Sequence, residues 1–283
     1  MNLDPRRNAF RDDLADARLE GQVTANRFVA GEEARCIDPV ADLRAGRGHD
    51  TPIGSQLLLG EPVLVFERQG GWAWVQSARD GYVGYVGERA LGPADPQPTH
   101  LVSAVRTFAY GQPELRSKPM RTLSLGSEVT VTDEVEQRGN RYFILSTGEA
   151  VFHRHLTPLG APLADDYVAI AERLIETPYL WGGNSALGID CSGLVQLALR
   201  LASRSAPRDS DMQAAEIGME LQQERLLRRG DLVFWKGHVG IMADEQTLLH
   251  ASGYAMAVVK EPLTDAVERI GKAYGEVTGR RRV

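Results

Sequence analysis

The sequence predicts an α+β protein in which two small all-β barrels precede a domain that combines helices with an antiparallel sheet. Three observations predict this fold class. Short strand-like runs separated by turn residues fill residues 33–160 and repeat weakly at an offset of about 66 to 72 residues. Apolar residues recur at helical spacing after Cys191. Further strand-like runs lie between Asp231 and Ala251.

Residues 1–32 are predicted to form a helical extension that lies across a neighbouring domain. The apolar residues that leave room for one or two helices are Phe10, Leu14, Ala17 and Phe28. The first residues contain no apolar run of signal-peptide length, and no later run approaches the length of a membrane span. If the first residue is the native start, we expect a cytoplasmic protein with no membrane partner.

Residues 33–95 and 96–160 form two consecutive units, each with the length and strand spacing of a small barrel. The run Ser55-Gln-Leu-Leu-Leu-Gly-Glu-Pro-Val-Leu-Val of the first unit corresponds to Thr122-Leu-Ser-Leu-Gly-Ser-Glu-Val-Thr-Val in the second. These runs predict that the same order of strands occurs twice.

Cys191 is predicted to begin a helix at the end of a glycine-rich loop. Asp190 before it is a good N-cap, and Leu194 and Ala198 after it follow helical spacing. A lone cysteine is more often a buried structural residue. An anion is favoured at a helix N-terminus, however, and with a histidine neighbour we expect a thiol pKa below the value of about 8.5 for free cysteine. The catalytic interpretation therefore requires a base.

Two histidines lie in the strand-like runs that follow. The runs are residues 231–235, 238–243 and 247–251, with His238 opening the second run and His250 near the end of the third. In adjacent antiparallel strands two such residues come side by side on one face. A cysteine nucleophile needs an imidazole as its base and a partner that orients the ring. Cys191, His238 and His250 fit the roles of nucleophile, base and orienting residue.

The last 120 residues or so resemble the NlpC/p60 family of bacterial cell-wall cysteine peptidases. The motifs that carry the resemblance occur in the family's order: Tyr179-Leu-Trp-Gly-Gly, Asp190-Cys-Ser-Gly-Leu-Val, Gly230-Asp-Leu-Val-Phe-Trp, His238-Val-Gly-Ile and Leu249-His-Ala-Ser-Gly. The resemblance implies a papain-like catalytic domain over residues 161–283, with a Cys-His-His triad at Cys191, His238 and His250.

The two preceding units resemble the bacterial SH3-like domains that accompany many of these peptidases. Gly81-Tyr-Val-Gly-Tyr-Val is the most telling motif, and its counterpart Gly148-Glu-Ala-Val-Phe is degraded, so we expect the copies to differ in role. The resemblance implies that the first domain supplies a tyrosine and an acid to hold the free amino group of the substrate. Tyr82 is the best match for the tyrosine. The candidates for the acid, in order, are Asp50, Asp80 and Glu61.

The resemblance also implies a substrate, a murein peptide cut between γ-D-glutamate and a diamino acid, either diaminopimelate or lysine. We expect an intracellular enzyme that releases L-Ala-γ-D-Glu during cell-wall recycling. Tyr179 is a candidate second donor to the oxyanion, beside the Cys191 amide. Trp181 is assigned to a substrate pocket, with a structural role as its alternative. The polar residues expected near the substrate, with capping and turn formation as their alternative, are Asp190, Ser192, Asp209 and Ser210.

Other functions remain open on the sequence. The same triad could serve a broader cell-wall hydrolase or an acyltransferase or amidase, and a vestigial domain would leave a wall-binding protein. The net charge of −6, without bulk basic charge, argues against nucleic acid as a partner. No ligand cluster or His-Glu-x-x-His motif predicts a metal or other cofactor. Cys36 is interpreted as a small buried side chain, because a disulfide with Cys191 would consume the nucleophile.

Overall fold

The computed structural model describes residues 3–222 and 224–283 and divides into two compact units, Met1–Gly160 and Ala161–Val283. The predicted α+β class is confirmed, because the first unit consists of strands and short turns whereas the second combines helices with an antiparallel sheet. In the described ranges no helix is both long enough and apolar enough to cross a membrane.

The helical extension predicted for residues 1–32 is wrong over residues 3–32, and residues 1 and 2 lie outside the described ranges. The segment contains a 3-10 turn at Ala17–Leu19 and two short parallel strands, β1 (Ala15–Asp16) and β2 (Phe28–Val29). The Asp4 and Asp16 carboxylates each accept the backbone N–H two residues further on, at 2.9 Å, and such local bonds compete with helix formation. The segment is held on the first barrel unit by a small apolar cluster whose buried members are Ala9, Leu14, Phe66 and Trp74.

The first barrel unit is one antiparallel sheet with the strand order β5-β4-β8-β7-β6-β3-β9. Its strands are β3 (Glu32–Cys36), β4 (Val40–Arg44), β5 (Ile53–Leu58), β6 (Pro62–Gln69), β7 (Trp72–Ser77), β8 (Val83–Gly87) and β9 (Leu91–Pro93). Burial alternates along β4 and β8, as a sheet with one core face requires. Cys36 is a free thiol in this core, as predicted.

The second barrel unit repeats this order of strands along the chain. Its strands are β10 (His100–Val102), β11 (Arg106–Tyr110), β12 (Pro119–Ser124), β13 (Glu128–Val129), β14 (Val131–Gln137), β15 (Asn140–Leu145), β16 (Ala150–Phe152) and β17 (Leu156–Pro158). They form sheets of order β12-β11-β16-β15-β14 and β13-β10-β17. A 3-10 turn precedes the last strand of each unit, at Glu88–Ala90 and His153–His155. The strand at the degraded motif, β16, is shorter than its counterpart β8.

The second compact unit packs a buried helix against a sheet of order β20-β25-β21-β22-β23-β24. Its helices are α1 (Tyr167–Glu172), α2 (Cys191–Leu201), α3 (Ser210–Glu216) and α4 (Leu263–Tyr274). Its strands are β18 (Asn184–Ser185), β19 (Gly188–Ile189), β20 (Met219–Glu220), β21 (Asp231–Trp235), β22 (His238–Met242), β23 (Thr247–Ser252), β24 (Ala257–Pro262) and β25 (Gly279–Arg282). Because α2 packs on β22, the start of the helix lies beside the start of that strand.

Candidate active site

The nucleophile candidate is positioned by the loop that precedes it. Asp190 caps α2 as predicted, since its carboxylate accepts the Gly193 N–H at 2.7 Å, and it also accepts the Gly182 N–H at 2.9 Å. Cys191 is therefore the first residue of the helix. A side chain at position 193 would place its first carbon 2.3 Å from the Gly183 carbonyl oxygen, so glycine lets the loop and the helix come this close.

The Cys191 side chain points to the start of β22. Only 6% of Cys191 is exposed, and the Val239 backbone N–H lies close enough to act on the thiol. Within the described residues, no acceptor is bonded to the Cys191 backbone N–H and no hydrogen bond joins its sulfur to His238. The amide at the helix start is thus available to a substrate oxyanion, as oxyanion stabilisation requires.

Arg208 is a component of the site that the sequence analysis did not single out. Its guanidinium pairs with both oxygens of the Asp190 carboxylate, at 3.0 and 2.7 Å, and donates to Ser192 Oγ at 2.8 Å. Arg208 is only 1% exposed, so this is a fully buried ion pair. Asp190 could have indicated that such a residue is present, because a carboxylate buried under the start of a helix requires a cation.

The contacts of Asp190 are those of a capping residue, and its role toward the substrate stays a prediction. Both of its oxygens are taken by the helix cap, the loop and Arg208, and its negative charge disfavours a glutamate carboxylate. The alternative assignment, capping, describes Asp190. Ser192 donates to Asp190 at 3.2 Å and belongs to the same network.

The expected low pKa of the Cys191 thiol is wrong. Burial, followed by the negative charge of Asp190, raises the pKa of Cys191 to about 12, and the N–H of Val239 and the charge of Arg208 offset this only in part. Burial, together with the neighbouring His250 and Arg269, lowers the pKa of His238 to about 3, although Glu261 acts in the opposite direction. The thiol and the imidazole therefore rest uncharged.

The sheet brings His238 and His250 together, as their positions in adjacent strands predicted. His238 Nε2 lies 2.7 Å from His250 Nδ1, and the rings meet edge to face with centroids 5.0 Å apart. Both residues are buried. His238 thus keeps its Nδ1 atom for the cysteine, while its other nitrogen is held by His250.

Glu261 and Arg269 extend this pair, and no sequence motif pointed to either. Glu261 Oε1 lies 2.6 Å from His250 Nε2, and the Arg269 guanidinium donates to the same oxygen. In the β23–β24 pairing Glu261 lies diagonally beside His250, on the same face of the sheet. The hydrogen bond from His250, supported by Arg269, lowers the pKa of Glu261 to about 2 against the effect of burial. Glu261 is therefore a carboxylate.

Two aromatic candidates lie in the loop before Cys191. Tyr179 is half-buried, and burial, together with the nearby Cys191 and Asp190, raises the pKa of its hydroxyl. Trp181 is 67% exposed. An indole that is so exposed is not part of the core, and the substrate contact of Trp181 stays a prediction.

Asp209 and Ser210 follow Arg208 at the start of α3. This helix is attached to the catalytic helix, because the Gln213 amide donates to the Ser192 carbonyl oxygen at 2.9 Å. The start of α3 therefore lies beside the first turn of α2. The roles of Asp209 and Ser210 toward a substrate stay predictions.

The candidates for binding the substrate amine lie in the first compact unit. Tyr82 is mostly buried and lines a cavity of about 320 Å³ in that unit, together with Arg44 and Trp74. Asp50 is exposed, whereas Asp80 accepts the Tyr82 backbone N–H at 3.0 Å. Glu61 is buried and pairs with Arg79 at 3.0 Å. Of the three acids it is therefore the least suitable candidate for binding the substrate amine. The binding roles of Tyr82 and Asp50 stay predictions.

Two family models match the chain. One, described as the NlpC/P60 family, matches residues 176–269, which contain Cys191, His238, His250 and Glu261. The other, described as a bacterial dipeptidyl-peptidase Sh3 domain, matches residues 43–91 in the first barrel unit. The second barrel unit is related to the first by strand order, and its assignment as a second SH3-like domain stays a prediction.

Named relatives match most of the chain. A protein of Bacillus subtilis named gamma-D-glutamyl-L-lysine dipeptidyl-peptidase is 31% identical over 250 residues, which cover 80% of this chain and 81% of that protein. A protein of the same name from Bacillus cereus is 27% identical and covers 74% of this chain and 70% of its own length. A crystal structure of an NlpC/P60 family protein from Bacillus cereus has a TM-score of 0.73 at 22% identity, over 89% of this chain and 99% of that one. This likeness supports the predicted fold.

Proposed function

The chain belongs to the NlpC/P60 family of peptidases, with a bacterial SH3 domain in its first unit, and we propose that it is a cysteine peptidase of murein peptides. The proposed reaction is hydrolysis of the bond between γ-D-glutamate and the following diamino acid. The observation that carries the proposal is the hydrogen-bonded pair of His238 and His250, next to a cysteine at a helix N-terminus.

The proposed mechanism uses the resting neutral pair. Cys191 Sγ attacks the γ-carbonyl carbon as its proton passes to His238 Nδ1, so the two charges form only when the substrate is present. The Cys191 backbone N–H stabilises the oxyanion, with the Tyr179 hydroxyl as the second donor. His238 then gives the proton to the departing amine, and a water molecule, deprotonated by His238, hydrolyses the thioester.

The names of the relatives support the substrate. Two of them are named for a γ-D-glutamyl-L-lysine bond and for the release of a dipeptide. Release of a dipeptide requires recognition of a free amino end, which is the role we assign to Tyr82 and Asp50. A carboxylate that pairs with an ammonium group in a closed pocket rejects a substrate extended at that end. We further propose that the enzyme acts on short peptides during cell-wall recycling in the cytoplasm.

The test compares the tripeptide L-Ala-γ-D-Glu-meso-diaminopimelate with the same peptide acetylated at its amino end, with products followed by mass spectrometry. We expect release of L-Ala-γ-D-Glu from the free peptide and not from the acetylated one. Equal cleavage of both would contradict the amine-binding role of Tyr82 and Asp50, and cleavage of neither would contradict the substrate assignment.

The matched control is Cys191→Ala. We expect this variant to fold and to lose activity by roughly 10⁵-fold or more, as removal of a nucleophile does in enzymes with a catalytic triad. A Cys191→Ala variant that still releases the dipeptide would show that the nucleophile is another residue. Addition of free amines to the assay separates hydrolysis from acyl transfer, because a transferase would give the amide product.

A further inference from the structure

The positions of the two histidines alone do not determine which ring donates the hydrogen bond between them. His238 Nε2 and His250 Nδ1 are 2.7 Å apart, and either nitrogen could carry the proton. The two arrangements differ in function. If His250 donates, neutral His238 carries its proton on Nδ1, which is the atom that must accept the proton of the thiol. The enzyme therefore needs a feature that makes His238 the donor.

Glu261 determines which histidine donates. Its Oε1 atom lies 2.6 Å from His250 Nε2, and a carboxylate can only accept, so His250 must carry a proton on Nε2. As long as His250 carries this single proton, its Nδ1 atom is an acceptor, and His238 must donate through Nε2. His238 Nδ1 is left unprotonated, which is the state required of a base.

Arg269 keeps the carboxylate in place. Its guanidinium donates to the same Oε1 atom and lies over the Tyr254 ring, 4.9 Å from the centroid. The side chains of Glu261 and Arg269 are 20% and 27% exposed, so the pair connects the buried histidines to the surface. The depressed pKa of Glu261 agrees with this geometry, since the group stays ionised at any pH at which the enzyme would work.

We propose that Glu261, held by Arg269, is a positioning residue that sets the tautomers of His250 and His238 and stabilises the imidazolium formed on His238. The inference rests on the proposed cysteine peptidase activity and adds two residues to its machinery. During the attack one proton moves from Cys191 Sγ to His238 Nδ1. Glu261 takes no proton, and its negative charge faces the new positive charge across the ring of His250.

The kinetic test compares Glu261→Leu with Glu261→Gln. Leucine removes the acceptor, and we expect kcat to fall by about 10²- to 10³-fold, the range that a positioned acid–base group contributes, with KM nearly unchanged. The glutamine oxygen can still accept from His250, so Glu261→Gln should recover about a tenth or more of the wild-type kcat, because it loses the charge but keeps the tautomer.

The matched control is Glu172→Gln. Glu172 is also a partly buried carboxylate of low pKa, 26% exposed, that accepts hydrogen bonds from Arg229 and Lys260 but has no histidine partner. We expect its kcat to stay within about twofold of the wild type, as for a partly exposed ion pair. Equal losses of kcat in Glu261→Leu and Glu172→Gln would overturn the proposal, because both would then report only a structural role.

A spectroscopic test needs no substrate, and it observes the wild-type protein. In the ¹⁵N-labelled wild type we expect both His238 and His250 to be Nε2-protonated tautomers, with signals assigned from a His250→Gln variant. A wild-type His238 protonated at Nδ1 would overturn the proposal. If the tautomers are as expected but the tripeptide is not cleaved, the substrate assignment fails and the role of Glu261 stands.

Discussion

The two sides of the active site are built in different ways. The nucleophile side is local, because Asp190, Cys191 and Gly193 are neighbours in sequence and the glycine loop before them packs on the same helix turn. The base side is assembled from three strands and a helix, since His238, His250, Glu261 and Arg269 lie on β22, β23, β24 and α4.

Each side also contains an arginine–carboxylate pair, and the two pairs differ in burial. Arg208 and Asp190 are almost completely enclosed, whereas Arg269 and Glu261 are partly open to solvent. A buried pair is costly to break, while a partly exposed pair is worth little to stability. The comparison therefore indicates that the first pair holds the fold of the site together and that the second serves the chemistry.

Arg208→Met tests the largest difference between the sides. Because the variant leaves the Asp190 carboxylate buried without its cation, we expect the free energy of unfolding to fall by about 3–5 kcal/mol. The measurement is urea denaturation. On the base side Arg269→Met should cost less than about 1 kcal/mol. Equal losses of stability in Arg208→Met and Arg269→Met would contradict the proposed difference between the two ion pairs. The double variant Asp190→Asn/Arg208→Met should recover most of the stability that Arg208→Met loses.

The pH dependence of thiol alkylation tests the resting charge on the nucleophile side. A pKa raised to about 12 favours the protonated thiol, so the thiolate fraction at pH 7 should be roughly 10³-fold below that of a free cysteine. Iodoacetamide labelling of Cys191, followed by peptide mass mapping, should accelerate about tenfold for each pH unit between pH 6 and 9. A rate that is already constant below pH 7 would instead show a thiolate paired with a charged His238.

Gly193→Ala tests the close contact between the loop and the helix on the nucleophile side. We expect a smaller loss of stability than for Arg208→Met, although a change from glycine to alanine in a helix usually increases stability. Replacement of a helical glycine by alanine normally stabilises a protein by up to about 1 kcal/mol. Here the added carbon would meet the Gly183 carbonyl oxygen at 2.3 Å, so we expect a loss of about 1–3 kcal/mol in the free energy of unfolding and a lower kcat.

Gly271→Ala in α4 is the control for this substitution. No atom lies within 4 Å of the added carbon, so this variant should be slightly more stable than the wild type. Thermal unfolding of both variants measures the difference. If Gly193→Ala also stabilises the protein, the close contact between the loop and the helix does not require glycine at position 193.

Part of each side of the active site was predictable from sequence. A capping aspartate, a helix start at Cys191 and the strands carrying His238 and His250 all follow from short-range patterns, and the structure has them where they were predicted. The N-terminal segment was not predictable in this way. Its apolar residues fit a helix, but side-chain to backbone bonds at Asp4 and Asp16 and the packing of Leu14 on the first barrel unit outweigh that preference.

The sequence by itself determined the fold class, the family resemblance, the capped nucleophile and the pairing of two histidines on neighbouring strands, because each depends on residues close together in the chain. Only the tertiary structure decided that Arg208 neutralises Asp190, that Glu261 directs His250, and that the thiol rests uncharged. These features depend on burial and on contacts between distant segments. A pattern of residue types specifies which side chains are present, but the packing of helices on the sheet sets their distances and their exposure to water.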